Sequence, residues 1–536
     1  MNSSVDVDIV KCKNFFSKFK DKPFRRYQKE TIYNILKAET KIVAVNAPTG
    51  AGKSLVAAVL SHIYGNAIYL TQSKVLQDQL VRDFPEFEVL KGRSNYPCAL
   101  NPELTRVDCP HIKPKNCSAY AECPYGVQKM CVIMHPLRIL NYAYYISEAN
   151  YIGAFSDKNI IIADEADTLE KDLSDFIGVS VSERLLDKFN LLHNIKRIGD
   201  VLEDSGAWLP LLQLLQTKLT IHVRTMNENI ERALTGSGIG AYGNSTVLLS
   251  MVKERNSLEN LLSKLSIMLS NWDLSWIVSE RANRNVNASK SWDFSPLWLS
   301  PELSNKYFFS HAKKFVLMSA TFPPIKVLAK TLGVKQSDIT MIEVPPTFSP
   351  RNKPIHVENA ANMGYATFVR ETPKLLSRIN EIVNKYPNDK GIIHCSSYRV
   401  RDVVMQLNNK RFITHNTADR DGKLNYFIQS EEPLVMVSPS MERGVSLDDD
   451  LSRFLIVAKA PYYSVKDKKV ALRKTTKNIG QEWYSSVTAQ TIEQMVGRGV
   501  RSVNDYCDVY LLDTCIGNLI KRSPQLFSKH FKDCLV

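Results

Sequence analysis

Short apolar runs recur along the chain and alternate with longer stretches whose apolar residues have helical spacing. Runs of four or five apolar residues between helices are typical of buried parallel strands in α/β units. A first set comprises Ile42–Val45, Ala67–Leu70, Cys131–Met134, Ile160–Ala163 and Phe315–Met318. A second set comprises Gly391–His394, Leu434–Val437, Phe454–Val457 and Val509–Leu512. The pattern therefore predicts two parallel sheets in two α/β domains.

Proline-rich loops separate these two sets of strands, at Pro323–Pro324 and Pro345–Pro346. We place the domain boundary there, because prolines punctuate secondary structure. Between residues 168 and 310 the pattern changes to leucine-rich segments at helical spacing, such as Leu209–Leu219 and Leu258–Leu269. This stretch predicts a mostly helical insert in the first domain.

The composition is that of an ordinary globular protein, with 44% hydrophobic and 23% charged residues among 536. The length predicts at least two domains, because single cores stop growing at about 250–300 residues. Lys and Arg number 69 against 55 Asp and Glu, and this net charge of +14 favours a polyanionic partner. We find neither a signal peptide nor an apolar run of about 18 residues, so we expect no membrane span and a cytoplasmic location, in the nucleoid or in a host cell.

A phosphate-binding loop is predicted after the first strand. The strand leads into Ala47–Ser54 (APTGAGKS), and a helix-forming stretch follows. Backbone N–H groups of such a loop cradle phosphates at a helix N-terminus. The residues predicted to hold ATP here are Thr49, Gly50, Ala51, Gly52, Lys53 and Ser54. Lys53 would neutralise the β and γ phosphates, and the Ser54 hydroxyl would ligate Mg²⁺.

Two adjacent acids stand at the end of a later predicted strand, in Asn159–Asp167 (NIIIADEAD). In open α/β sheets, ligands bind outside the carboxyl ends of the strands. Asp164 is therefore predicted to hold Mg²⁺, and Glu165 to orient and deprotonate the attacking water. A polar strand exit is the alternative interpretation, which the phosphate loop makes the weaker of the two.

The second half of the chain carries arginines suited to the far side of ATP. Gln494, Arg498 and Arg501 occur in QMVGRGVR, at spacings that would place them on one face of a helix. Arginines so placed can stabilise the charge on a transferring phosphate. If they come from the second domain, ATP lies between the domains, and its hydrolysis can drive their opening. A basic surface helix is the alternative interpretation.

These motifs occur in the order found in superfamily-2 helicases, with Ser319–Thr321 (SAT) between DEAD and QMVGRGVR. Three further features resemble the XPD/DinG iron–sulfur branch: the cysteine group that opens at Lys91–Cys98 (KGRSNYPC), the insert between DEAD and SAT, and Val437–Leu447 (VSPSMERGVSL) with its C-terminal neighbours. The resemblance covers nearly the whole chain from residue 24. It implies an α/β fold with two RecA-like parallel-sheet motor domains, and with an iron–sulfur insert and a mostly helical Arch-like insert in the first.

The resemblance also implies limits for these parts. Motor domain 1 would comprise residues 1–90, 131–168 and 311–345. The iron–sulfur insert would span 91–130 and the Arch-like insert 169–310, and motor domain 2 would span 346–536.

Several further site residues are implied only by the resemblance. Arg25 and Gln28 would read the adenine, and Thr71 and Gln72 would hold the DNA backbone. Ser319 and Thr321 would couple the state of ATP to the grip on DNA. Gly444 would contact the nucleotide, although Arg443 and Ser446 stand where the family has acids. Asp167 stands where the family has histidine.

Five cysteines lie between residues 98 and 131, and without a secretion signal they point to metal binding rather than to disulfides. The resemblance implies a [4Fe–4S] cluster held by Cys98, Cys109, Cys117 and Cys123. A zinc site is the competing interpretation, because four thiolates suit either metal, but the spacing lacks a CxxC pair. Cys131 is expected in a buried strand.

The cysteine loop also carries basic and aromatic residues that can hold a nucleic-acid backbone and stack on bases. These residues are Arg93, Tyr96, Lys113, Lys115 and Tyr125. We expect Arg93 and Tyr96 to contact DNA at a fork, and a solvated loop is the alternative for each side chain.

The function implied by the resemblance is that of an ATP-dependent DNA helicase or translocase. It would move 5′ to 3′ on single-stranded DNA and act at junctions between single and double strands. The alternatives are an RNA helicase and a nucleotide-gated single-strand clamp without unwinding. The cysteine group and insert argue against the first alternative, and the intact nucleotide-site residues argue against the second. We expect a monomer, and the sequence names no protein partner.

Overall fold

The computed structural model describes residues 3–111, 114–198, 204–236, 246–281, 290–440, 447, 449–500 and 505–536. In these ranges the chain forms two parallel sheets of seven and six strands and one antiparallel sheet of three. We call the seven-stranded sheet with its helices the first lobe, and the six-stranded sheet with its helices the second lobe. The segment 169–310, within the first lobe's sequence, is called the insert.

The first lobe begins with five strands that alternate with helices. The strands are β1 Ile42–Asn46, β2 Ala67–Thr71, β3 Glu88–Val89, β4 Leu137–Asn141 and β5 Lys158–Asp164. The helices are α1 Ser3–Asn14, α2 Gln28–Lys37, α3 Lys53–Tyr64, α4 Lys74–Asp83, α5 Pro124–Met134 and α6 Tyr142–Tyr151. Four short 3-10 turns occupy the cysteine loop between β3 and α5, among its described residues.

The predicted strand at Cys131–Met134 is wrong. These residues form the last turns of α5, and the strand follows at β4. Proline at the first position of α5 favours helix initiation, because its fixed φ suits a helix and its missing N–H costs no bond there. Cys131 is exposed rather than buried, which also corrects its expected place in the core.

The insert contains the helices α7 Leu169–Ile177, α8 Glu183–Lys188, α9 Leu192–Ile198, α10 Leu209–Gly236, α11 Thr246–Ser270 and α12 Pro301–Ser304. It also contains the strands β6 Val179–Ser182, β7 Trp276–Arg281 and β8 Ser291–Pro296, which pair antiparallel in the order β6-β8-β7. The expected helices are present, but the prediction missed this sheet. Its strands alternate buried and exposed side chains, so they lack the continuous apolar runs that marked the other strands.

After the insert the chain returns to the first sheet through β9 Ala312–Ser319, α13 Ile325–Leu332 and β10 Ile339–Glu343. The strand order of this parallel sheet is β10-β1-β9-β5-β2-β4-β3. Neighbouring residues of β1 point into different cores: Ile42 and Ala44 join one buried cluster, and Val43 and Val45 join the other. Both faces of the sheet are therefore covered, as its apolar runs predict.

The second lobe contains six parallel strands in the order β11-β16-β15-β12-β14-β13. They are β11 Ile355–Ala361, β12 Gly391–His394, β13 Phe412–Thr414, β14 Val435–Ser438, β15 Phe454–Val457 and β16 Asp508–Asp513. Its helices are α14 Phe368–Lys385, α15 Tyr398–Met405, α16 Arg420–Gln429, α17 Lys468–Thr475, α18 Gly480–Val496, α19 Thr514–Arg522 and α20 Lys529–Asp533. Among the helices described, none is long and apolar enough to cross a membrane.

Candidate nucleotide site and cysteine cavity

The phosphate loop connects β1 to the N-terminus of α3 in the first lobe. Gly50 and Gly52 have φ angles of +83° and +75°, a conformation that glycine adopts without steric cost. A Cβ atom on Gly52 would also lie 2.2 Å from Nε2 of Gln28. The loop therefore requires glycine at this position, and α3 presents its free N–H groups to the space above.

Arg25 and Gln28 contact the backbone of this loop. The Arg25 Nη1 donates to the carbonyl of Gly50 at 3.0 Å, and the Gln28 Nε2 donates to the carbonyl of Gly52 at 3.0 Å. The Gln28 Oε1 in turn accepts from the Arg25 N–H at 2.8 Å. These two residues hold the shape of the loop, and their reading of adenine stays a prediction.

The Lys53 side chain lies over the loop. Its Nζ donates to the carbonyl of Ala47 at 3.0 Å. The N–H of Ala47 donates to the carbonyl of Ser319 at 2.8 Å, which ties the loop to the end of the neighbouring strand β9. The ammonium group is therefore placed at the mouth of the loop, where phosphate oxygens could replace the carbonyl.

Asp164 ends β5 beside the phosphate loop and is held by two tyrosines. The Tyr69 hydroxyl donates to its Oδ2 at 3.1 Å, and the Tyr142 hydroxyl donates to its backbone carbonyl at 2.8 Å. Burial and the charge of Asp164 raise the pKa of Tyr69 well above its usual value, and the Ser54 hydroxyl lies close enough to Tyr69 to oppose that shift. Tyr69 thus brings together Ser54 and Asp164, the two predicted Mg²⁺ ligands.

The Glu165 carboxyl lies between charges of both signs. Its φ is +52°, which is uncommon for a residue other than glycine and typical of functional sites. Burial and the adjacent Asp164 raise the pKa of Glu165, while Arg498 and Lys53 oppose the shift. The Glu165 carboxyl thus interacts with Lys53 of the first lobe and with Arg498 of the second. Arg498 therefore lies on the same side of the molecule as Lys53.

The expected helix does not extend to Arg498, so the prediction that Gln494 and Arg498 share a helical face is wrong. Helix α18 ends at Val496, so Gln494 lies on the helix and Arg498 lies in the turn after it. Glycine has low helix propensity, and Gly499 packs against Cys507, where a Cβ atom would lie 2.5 Å from the sulfur. Arg501 and Gly444, together with Lys113, Arg443 and Ser446, lie outside the described residues.

Asp167 joins three predicted motifs across the lobes. Its Oδ1 accepts from the Ser319 hydroxyl at 2.9 Å, and its Oδ2 accepts from Gln494 Nε2 at 2.8 Å. Gln494 Nε2 also lies 3.3 Å from the Thr321 hydroxyl, and Gln490 Nε2 donates to the Thr321 carbonyl at 3.0 Å. The last residue of DEAD therefore forms part of a network that links β5, β9 and α18.

A cavity of about 780 Å³ opens between the lobes beside the phosphate loop. Pro48 and Thr49 line it from the first lobe, and Glu493, Gly497 and the segment 525–531 line it from the second. Its volume falls within the range of small-molecule sites.

The side chain of Thr71 is buried, and that of Gln72 bonds other residues of the protein. Thr71 is buried at the end of β2. Gln72 Nε2 donates to the Thr168 hydroxyl and, at 2.9 Å, to Asp172 Oδ2. A contact from Thr71 to a nucleic-acid backbone therefore has to use its peptide group, and the DNA role of both residues stays a prediction.

Arg93 and Tyr96 pack into a polar cluster at the base of the cysteine loop. Arg93 Nη2 lies 3.5 Å from the buried carboxylate of Glu148, and the Tyr96 hydroxyl accepts from the Lys91 N–H at 3.1 Å. The Tyr96 ring packs edge-on against Tyr125. Tyr125 is buried, so stacking of a base on it is not supported, whereas half of the Arg93 side chain is exposed.

The four cysteines implied as ligands line one cavity of about 30 Å³. Burial raises the pKa of Cys109, to which the nearby Cys117 and Cys98 contribute, so these sulfurs lie close together. The remaining wall includes Cys123 and Arg106. Among the described residues, no three His, Cys, Asp or Glu side chains converge closely enough to hold a metal ion. The donor set still suits a cluster, in which each cysteine binds a different iron around a shared core.

Two domain families match this chain. The DEAD/DEAH box helicase family matches residues 25–183, and the helicase C-terminal domain family matches residues 379–534. A solved XPD helicase structure aligns over 96% of this chain and 98% of its own, with a TM-score of 0.62 and 18% identity. The chain therefore carries both domains of a DEAD/DEAH box helicase, and its fold is that of the XPD helicase structure. This confirms the resemblance and the fold class of two RecA-like domains.

One further solved structure and two sequence relatives are also similar to this chain. Xpd4 of S. tokodaii aligns over 95% of this chain and 99% of its own, with a TM-score of 0.59 and 16% identity. The ATP-dependent DNA helicase CHL1 of Saccharomyces cerevisiae is 20% identical over 478 residues, which cover 73% of this chain and 54% of CHL1. A regulator of telomere elongation helicase 1 homolog of Aedes aegypti is 21% identical over 279 residues, covering 45% of this chain and 27% of the homolog. The chain thus spans about half the length of CHL1.

Proposed function

We propose that this XPD-like chain is an ATP-dependent DNA helicase that hydrolyses Mg-ATP between its two lobes. The observation that carries the proposal is the position of Glu165, whose carboxyl is acted on by Lys53 of the first lobe and Arg498 of the second. A triphosphate bound there would be gripped from both lobes. Its cleavage would remove one contact between them and allow the cleft to open.

Each residue of the site has a proposed role. The backbone of residues 49–52 binds the phosphates, and Lys53 neutralises them. Ser54 and Asp164 hold Mg²⁺, which supplies charge neutralisation to the phosphate oxygens. Glu165 accepts the proton of the attacking water. Arg498, with Arg501, stabilises the charge that develops on the γ-phosphate, and Gln494 senses the state of the acidic strand end through Asp167.

Single-stranded DNA and its junctions with duplex are the proposed substrates, and the direction of movement is 5′ to 3′. The support for DNA is the net charge of +14 and the DNA helicase named among the relatives, CHL1, whereas the direction rests on the resemblance to the XPD/DinG branch. The chain is proposed to act as a monomer inside the cell. We propose motor domain 1 as residues 1–90, 131–168 and 311–345, and motor domain 2 as 346–536, because β10 of the first sheet ends at Glu343 and β11 of the second begins at Ile355.

A [4Fe–4S] cluster is proposed in the cysteine cavity, held by Cys98, Cys109, Cys117 and Cys123. The four thiols face one space, whereas Cys131 is exposed on α5. The spacing of these cysteines lacks the CxxC pair of a zinc ribbon, which favours the cluster over zinc. The cluster would pin a loop that carries Arg93 and Lys115 beside the DNA path.

The proposal is tested with strand displacement and ATP hydrolysis assays on 5′-tailed and 3′-tailed duplexes of DNA and of RNA. We expect ATP-dependent displacement of the 5′-tailed DNA duplex and hydrolysis stimulated by single-stranded DNA. Lys53→Ala should reduce hydrolysis by at least about a hundredfold, because it removes the cation placed for the phosphates. Stimulation by DNA without displacement would indicate a clamp or a translocase that does not unwind, and preference for RNA tails would contradict the DNA assignment.

A further inference from the structure

The insert reaches the cysteine loop through one buried arginine. Arg255 lies on α11, and its side chain is only 4% exposed. Its Nη1 donates to the carbonyl of Pro110 at 3.1 Å, and its Nη2 donates to the carbonyl of Cys109 at 3.2 Å. Burying a guanidinium is costly unless its donors are paired, so these bonds are a structural requirement of the contact.

The remaining contacts of Arg255 fix its orientation. Its Nε donates to Asn256 Oδ1 at 3.0 Å and lies 3.9 Å from the carboxylate of Glu259, one turn along the same helix. The planar guanidinium is thus held on one edge by its own helix. The opposite edge is aimed at the two carbonyls of the cysteine loop, which a flexible ammonium could not match in geometry.

The same helix touches the loop at two more points, and both are exposed. Asn256 Nδ2 donates to the carbonyl of Val107 at 2.8 Å, and Lys253 Nζ lies 3.9 Å from Asp108. The Lys253 side chain is 66% exposed, so its attraction to Asp108 is screened by water. Only Arg255 combines burial with direct bonds to a cysteine among these three residues.

The backbone around Cys109 is held on its other side by the loop itself. The Cys109 N–H donates to the Arg106 carbonyl at 3.4 Å, and the Arg106 N–H donates to the Tyr96 carbonyl at 3.0 Å. The Cys98 N–H donates to the Leu104 carbonyl at 2.8 Å. The N–H side of Cys109 is therefore anchored locally, whereas its carbonyl side is anchored by a residue 146 positions away.

We propose that Arg255 is a positioning residue for the iron–sulfur site, holding the Cys109 peptide so that its thiolate faces the other three. The inference rests on the proposed cluster and assigns its retention to a residue of the insert. It follows that the insert and the cluster stabilise each other, and that rearrangement of α11 loosens one ligand. Groups that orient metal ligands typically change metal retention by about 10–100-fold when they are removed.

The test compares cluster retention in the full-length wild type and Arg255→Met, which keeps the length of the side chain but leaves both carbonyls unpaired. Iron and acid-labile sulfide are counted per chain, and the visible absorption is followed anaerobically in excess chelator. Arg255→Met should lose its cluster at least about tenfold faster than the wild type. Visible circular dichroism, which reports the arrangement of the thiolates, should change in the fraction that remains loaded. Arg255→Lys should fall between the two, because one ammonium replaces two fixed donors.

Lys253→Ala is the matched control, because it removes an exposed contact from the same helix to the same loop and leaves the contacts of Arg255 in place. It should retain the cluster within about twofold of the wild type. Wild-type half-life and dichroism in Arg255→Met would overturn the inference but leave the cluster intact, whereas zinc without sulfide in the wild type would remove the proposed cluster itself. If Arg255→Met does not fold, Arg255→Lys decides, and a wild-type half-life there overturns the inference.

Discussion

Glu165 combines a left-handed backbone with a buried carboxyl, and both features follow from its neighbours. β5 ends at Asp164, whose carboxyl accepts from the Tyr69 hydroxyl, and the backbone must turn at once to bring Asp167 to Ser319. The backbone of Glu165 makes this turn by adopting a φ of +52°. The geometry leaves its carboxylate close to Asp164 and facing the two cations, which suits a base that must be deprotonated to work.

The rate of ATP hydrolysis is expected to depend on pH through Glu165. Burial and Asp164 raise the pKa of Glu165, so protonation begins at a higher pH than for an ordinary glutamate. A general base works only when deprotonated. The kcat/KM for ATP in the presence of DNA, which reports the groups of the free enzyme, should therefore be constant at high pH and fall about tenfold per unit below that pKa. Glu165→Gln should abolish hydrolysis while nucleotide binding persists.

A second carboxyl could mimic this profile. Glu493 lines the interlobe cavity, and burial raises its pKa to about 7. The variant Glu493→Gln separates the two groups, because it removes that titration and leaves Glu165 untouched. An acid limb that disappears in Glu493→Gln would assign the dependence to Glu493 and contradict the role of Glu165 as the titrating base.

At the residue scale, the sequence predicts the residues of the nucleotide site but not the side chains that hold those residues in position. Lys53, Ser54, Asp164 and Glu165 stand in contiguous motifs, and the structure places them just after β1 and β5, the two strands that flank β9 in the sheet. Tyr69 lies on β2, a strand buried on both faces, where an aromatic side chain is typical of a core. Its bond to Asp164 depends on the pairing of β2 with β5, which no local pattern displays.

Helix α18 of the second lobe contacts two motifs of the first lobe. Its last turns place Gln490 and Gln494 against Thr321 and Asp167, and the chain then turns at Gly497 to deliver Arg498. The helix and the turn after it therefore contact both the SAT segment and the acidic strand end. A movement of α18 would therefore change its contacts with both the SAT segment and the acidic strand end.

Gln494→Ala is expected to uncouple hydrolysis from DNA. The substitution removes a hydrogen bond to the charged Asp167, and bonds of that kind contribute about 1.5–3 kcal/mol. DNA-stimulated turnover should fall at least about tenfold, while KM for ATP should stay within about twofold, because the Gln494 amide nitrogen bonds Asp167 and Thr321, which are not part of the phosphate loop. Steady-state hydrolysis with and without single-stranded DNA measures both.

Gln490→Ala is the control from the same helix, since Gln490 donates to a neutral backbone carbonyl of Thr321. The Gln490→Ala substitution should reduce the DNA-stimulated turnover severalfold less than Gln494→Ala does. Equal losses in the two variants would mean that the packing of α18, and not the bond to Asp167, determines the coupling.

At the element scale, periodicity predicted the continuous strands of both sheets and failed where periodicity is ambiguous. The run Cys131–Met134 is apolar enough for a strand, but it continues a helix that began at Pro124. The insert's strands β6 and β8 have one buried face, so half of their residues are polar. The spacing of Gln494 and Arg498 suggested a helix that Gly497 ends. In the first and third cases a local signal, Pro124 or Gly497, outweighed the periodicity, and in the insert the one-sided burial of its sheet concealed the strands.

The two lobes are also joined away from the nucleotide site, by a buried ion pair. Arg473 of α17 donates to Glu170 of α7 through Nη2 at 2.6 Å and Nη1 at 3.3 Å. The guanidinium lies over the rings of Trp298 and Trp483, at 4.7 Å and 5.3 Å from their centroids. Because α7 opens the insert, this contact joins the second lobe to the start of the insert and forms a second anchor outside the nucleotide site.

Arg473→Met should destabilise the contact between the lobes by about 3–5 kcal/mol, because it leaves the Glu170 carboxylate buried without its partner. Denaturant unfolding followed by tryptophan fluorescence measures the loss directly, since Trp298 and Trp483 flank the pair. Glu170→Gln should cost less in the Arg473→Met background than in the wild type, since the two side chains interact. Lys326→Met is the control, because Lys326 and Glu482 also pair across the lobes but are half exposed, which predicts a loss below about 1 kcal/mol.

The same pair predicts how stability changes with pH. Burial acts to raise the pKa of Glu170, but Arg473 and its hydrogen bonds outweigh it and lower that pKa to about 2. A carboxyl whose pKa is depressed in the folded protein contributes stability above its unfolded pKa of about 4.3 and loses it as pH falls toward the folded value. The free energy of unfolding of the wild type should therefore exceed that of Glu170→Gln above about pH 4, and this difference should disappear between about pH 4 and pH 2. If the difference in unfolding midpoint stays constant across that window, Arg473 does not hold Glu170 ionised, and the anchor would depend on the packing of the two tryptophans rather than on charge.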